Sequence, residues 1–123
     1  MSIEDLNQSV TAAILRAEAL PLGSWEAERA FREVAELEQE LAAIFGAQTV
    51  QGEVARLGAV AASLSAGDLL RAVLLAERYL AHALSDRSRI RLEQLKAEAE
   101  ASISSAAAAS PEVVNIGFTV KAA

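Results

Sequence analysis

Apolar residues recur every three or four positions over most of the first hundred residues of this 123-residue chain, the spacing of amphipathic helices. Ile3, Leu6, Val10, Ala13, Ile14, Ala17 and Leu20 form the first stripe, and Ser2 with Asp5 approximates a capping box ahead of it. Pro21 and Gly23 end it, because proline disfavours helical geometry in the residue before it and glycine suits a tight connection. A second helix opens on Ser24 as N-cap, with Glu26 and Glu28 in its first turn. Its seam is Ala30, Val34, Leu37, Leu41 and Ile44, flanked by Phe31 and Phe45, and Gly46 terminates it. A third helix, capped by Thr49, carries Val50, Val54, Leu57, Ala61 and Leu64 as its expected buried stripe. Gly52 and Gly58 each cost it about 1 kcal/mol relative to alanine, so packing must hold it, with the glycines admitting a close neighbour.

Ser65 and Asp68 read as a capping box for the longest pattern of all: Leu69, Val73, Ala76, Leu80, Ala83 and Leu84, continuing through Leu92, Leu95, Ala99 and Ile103. The pattern predicts a fourth helix of nearly forty residues whose outer half has no partner within the chain. The polar run Ser85-Asp86-Arg87-Ser88 offers the alternative of a hinge that folds residues 89–104 back as a fifth helix. An Ala/Ser/Pro joint at 105–111 follows, and the period then changes to two: Val114, Ile116, Phe118 and Val120 fall on one face of a predicted strand within 112–123.

The expected architecture is therefore all-α: a helical bundle over 1–104, antiparallel, of four to five helices with a long fourth helix and a single C-terminal β-strand used for intermolecular pairing. A lone strand leaves its backbone N–H and C=O groups without partners, which points to another copy or the sheet edge of a different protein.

Composition sharpens this picture. Alanine and leucine dominate the apolar content, against 3 Phe, 1 Trp and 1 Tyr, which favours closely packed helices over sheets. With no cysteine, disulfides, thiolate metal sites and thiol nucleophiles are excluded. The formal net charge of −6 resides in residues 1–62 and argues against nucleic acid as a partner. The start MSIEDLNQ lacks the basic and apolar regions of an export signal, and no uncharged stretch approaches the roughly 20 residues of a membrane span; a cytoplasmic location is expected.

Candidate chemistry is sparse. His82 is the only histidine, with Tyr79 three residues before it and Asp86 four after; a helical His82 hydrogen-bonded to Asp86 is the favoured reading, since no nucleophile signature accompanies it. Carboxylate-bridged metal pairs need a second histidine and Glu-x-x-His, and phosphate loops need glycine patterns that do not occur. Glu33, Glu36 and Glu40 share a solvated face, Arg87, Arg89 and Arg91 form the one basic cluster, and Trp25 is expected to pack on the Pro21–Gly23 turn.

The sequence thus predicts no catalysis and no cofactor or metal. It predicts a non-enzymatic assembly or interaction module, joining copies of itself or docking another protein through Val114, Ile116, Phe118 and Val120 of the strand and Leu92, Leu95 and Ile103 of the outer helix. Two alternatives stand beside it: a small acidic adaptor or inhibitor, immunity- or chaperone-like, covering a basic protein surface, and an amphipathic coat on an apolar surface.

Overall fold

The computed structural model describes residues 2–108, which form five α-helices joined by short turns: α1 Ile3–Glu18, α2 Trp25–Ile44, α3 Val50–Ser65, α4 Leu69–Leu80 and α5 Asp86–Ala108. Three of the predicted caps are in place. The Ser2 hydroxyl accepts from the Asp5 N–H while the Asp5 carboxylate accepts from the Ser2 N–H, a complete capping box. The Ser24 hydroxyl accepts from the Ala27 N–H, and that of Thr49 from the Gly52 N–H.

The Ser65–Asp68 box is not formed. Ser65 belongs to α3, which ends in a Schellman turn: Gly67 takes φ +74°, its N–H donates to Leu64, and the Asp68 N–H donates to Ser63. Asp68 starts α4 without a side-chain cap.

The fold class needs two corrections. The single long fourth helix is two helices, because the chain breaks at residues 81–85 and α5 folds back on α4 and α3. Three contacts hold that break. The Arg89 guanidinium donates to the Leu80 and His82 carbonyls, satisfying the end of α4, the Ser85 hydroxyl accepts from the Ser88 N–H, and Glu53 of α3 accepts from Ser85 and Ser88. The single C-terminal strand is also withdrawn from the fold: there is no strand among the described residues, and positions 113–120 lie outside them. What stands is an all-α bundle.

Its layout runs in chain order. α1 packs along α2, α2 along α3, α3 also against α4 and α5, and those two against each other. α3 is the central element, which explains its composition. Its buried positions are the small residues Gly52, Ala55, Ala59, Ala62 and Ser63, with Val60 and Arg56, because helices close in from two sides. The main core joins Leu6, Val10, Leu41, Val60, Leu75, Leu92 and Leu95, and a smaller one joins Ala13, Ala17, Val34, Ala35 and Ala62. No helix among the described residues is long and apolar enough to cross a membrane.

Candidate functional site

The sequence placed the apolar face of α3 on Val50, Val54, Leu57, Ala61 and Leu64. The structure rotates that face: Leu57, Ala61 and Leu64 are half-buried at the edge of the core, while Val50 and Val54 are 75% and 59% exposed. The small side chains take the buried positions because only they allow the close approach of α2 and α4, so the branched aliphatic edge of α3 is left outward.

That edge forms one wall of a groove of about 440 Å³. α1 and α3 both lie on α2 without their backbones closing on each other. Val10, Ile14, Asn7 and Thr11 of α1 make the opposite wall, and Leu41 and Glu38 of α2 with its C-cap Phe45 make the floor. The three segments contribute apolar residues four apart (Val10 and Ile14, Leu41 and the C-cap Phe45, Val50 and Val54), just over one turn, and the full lining from Asn7 to Ile14 and from Glu38 to Phe45 extends the groove along about two turns.

Among the described residues Glu38 is the only titratable side chain lining it. The residue is 7% exposed and makes no hydrogen bond or ion pair among the described residues. Burial pushes its carboxyl up from 4.5 to about 7. Its place is made by Gly58 of α3, where a Cβ would overlap the Glu38 carboxylate. Glu38 went unnoticed in the sequence although the signal was there: it stands four residues after Val34 and three before Leu41, both buried, so it shares their face.

The opposite flank of α3 carries a second, smaller pocket of about 240 Å³, lined by Gln39, Ala42 and Ala43 of α2, Arg56 of α3, and Arg78, Tyr79 and His82 at the end of α4. Arg56 is buried. Its Nη1 donates to the carbonyls of Phe45 (3.1 Å) and Gly52 (3.0 Å), and its guanidinium lies 5.4 Å from the centre of the Tyr79 ring. Its Nε–H has no acceptor among the described residues. Burial pushes the Tyr79 phenol up, against the opposing effect of Arg56, Arg78 and Arg71.

The predicted site residues do not come together. Leu92 and Leu95 are core residues, because the fold-back presses α5 onto α3 and α4; they are not available to a partner. Ile103 is on α5 and exposed. Val114, Ile116, Phe118 and Val120 lie outside the described residues.

Two further expectations are corrected. His82 sits in the turn after α4, edge-on to Tyr79 and without a hydrogen bond to Asp86 among the described residues. Trp25 does not pack on its turn but is 65% exposed, beside an exposed Leu22. Glu33, Glu36 and Glu40 are exposed, with Glu33 bridged to Arg16 of α1 at 3.3 Å, and Arg89 is occupied within the fold. Among the described residues no group of His, Cys, Asp and Glu could hold a metal ion. Compared with known proteins, the chain matches no family model, no curated protein and no solved structure.

Proposed function

We propose that the chain is a non-enzymatic interaction module that docks an amphipathic helical segment of a partner protein, or of a second copy, in the groove between α1 and α3. The observation that supports this reading is the pairing of an exposed aliphatic edge, Val50 and Val54, with a buried acid, Glu38, that has no partner among the described residues, in one groove. A groove about two turns long with apolar walls suits the i, i+4, i+7 anchors of a helix. Covering Glu38 with a wholly apolar segment strands a carboxylate, so a lysine or arginine among the anchors is the complementary choice; its methylene stem packs on the groove walls and its charge meets the acid. The net charge of −6 carried by residues 1–62 favours the approach of such a basic segment.

The test is calorimetric titration of the full chain with two helical peptides that differ in one residue: anchors Leu-Lys-Leu at i, i+4, i+7, and the same peptide with methionine for lysine. At pH 8 the lysine peptide is expected to bind at least tenfold more tightly, Glu38→Gln to erase that preference, and Val54→Arg to abolish binding of both. Equal binding of the two peptides overturns the role of Glu38, and no binding of either overturns the docking reading.

A further inference from the structure

The pocket on the far flank of α3 carries an inference independent of the groove. Arg56 and Arg78 line it together with Tyr79, His82 and Gln39, and Arg71 reaches its rim by donating to Gln39 Oε1 at 3.4 Å. None of these three arginines lies within salt-bridge distance of a carboxylate among the described residues, in a chain where Asp and Glu outnumber Lys and Arg by 17 to 11. Among the described residues the pocket lining contains no acid.

Such a gathering of like charge is unfavourable by itself, and burial of a guanidinium makes it more so. Two backbone carbonyls and the Tyr79 ring face offset part of the cost for Arg56, but its Nε–H has no acceptor among the described residues. Arginine forks bind oxyanions through paired N–H donors, and a phenol and an amide add neutral donors around them.

We propose that the pocket formed by Arg56, Arg78, Tyr79, His82 and Gln39 is a binding site for a small oxyanion of the phosphate type, free or as a small-molecule phosphomonoester. The volume of about 240 Å³ admits such a group. The occupied site ties the C-terminal turn of α4 to the C-terminal end of α2, because its lining residues come from both.

Inorganic phosphate, phenyl phosphate and sodium chloride, matched in ionic strength, are titrated into the full chain while the Arg56 and Arg78 Nε–H and His82 ring signals are followed by NMR. Phosphate is expected to shift these signals saturably in the low millimolar range and chloride to leave them in place. Tighter binding of phenyl phosphate assigns the site to an esterified group, and tighter binding of inorganic phosphate to the free anion; both support the proposal. Arg78→Gln, a substitution on the exposed side of α4, is expected to weaken binding at least tenfold while the helical circular dichroism is unchanged, and His82→Gln to weaken it less. A response to phosphate no larger than that to chloride, or an undiminished response in Arg78→Gln, overturns the proposal.

Discussion

Glu38 of α2 lies directly against Gly58 of α3, and the missing Cβ of that glycine is the space its carboxylate occupies. A second glycine of α3, Gly52, has the same relationship to a different neighbour: a Cβ there would overlap the Gly46 carbonyl oxygen. The two positions are expected to respond differently to alanine. At Gly52 the obstacle is backbone, so Gly52→Ala should destabilise by about 1 to 3 kcal/mol. At Gly58 the obstacle is the end of a side chain that can swing into the groove, and the helix gains about 1 kcal/mol in propensity, so Gly58→Ala should be near neutral. Urea unfolding of the two variants checks the contrast; an equal loss in both contradicts it.

The displaced or buried state of Glu38 also sets a pH dependence. Its carboxyl titrates near 7 in the folded chain and at 4.5 when unfolded, so between those values the folded state holds the extra proton. Stability contributed by this group is therefore full below about pH 4.5 and falls as pH rises toward 7, then stays level. The span has an upper bound of roughly 3 kcal/mol, reduced by the water that reaches the carboxylate through the groove. Glu38→Gln removes the slope and should leave the variant more stable than the parent at pH 8. Thermal unfolding from pH 5 to 8 shows it; a parent whose stability rises across that window contradicts it.

Glu53 works in the opposite direction. The Ser85 N–H (2.9 Å), the Ser88 hydroxyl (2.8 Å) and the Ser85 hydroxyl (3.0 Å) hold its carboxyl below the ordinary value. Its contribution is present above 4.5 and is lost as pH falls below that value. Because these bonds pin the start of α5 to α3, Glu53→Ala should destabilise by about 1 kcal/mol, the scale of a lost helix cap. Faster amide exchange confined to residues 81–90 is the expected signature. Unchanged exchange there means that Arg89 alone holds the turn.

Leu92 separates the fold-back from the long-helix reading. As a fully buried core residue it should cost about 2 to 5 kcal/mol on replacement by alanine. On a free outer helix the same substitution would leave stability almost untouched. Chemical denaturation of Leu92→Ala decides between them.

Much of this architecture could be read from the chain. Most of the stripes of α1 and α2, three serine or threonine caps and the Pro21 and Gly46 boundaries are local signals that the structure keeps, although Ile3, Leu20 and Ile44 at the ends of the stripes are exposed. The break before α5 was weakly written, because the apolar period carries on through Leu80, Ala83, Leu84 and Leu92 and the contacts that enforce the turn come from distant Glu53 and from the Arg89 side chain. The buried face of α3 is hidden in the sequence for a related reason. Periodicity counts large aliphatic residues as buried, whereas α3, packed from two sides, buries mainly small residues such as Gly52, Ala55, Ala59 and Ala62 together with Val60, and leaves Val50 and Val54 out. Glu38 could have been singled out by its place on the face of Val34 and Leu41, whereas Arg56 sits on a face that periodicity in large aliphatic residues does not mark.

The most direct check on the docking reading is amide NMR mapping of the full chain with the lysine-bearing peptide at pH 8. Shifts concentrated on Val10, Ile14, Glu38, Leu41 and Val54, absent from the outer face of α5, are the expected result. Shifts centred elsewhere, such as the exposed Leu70 and Leu74 of α4, or none at saturating peptide, contradict the account.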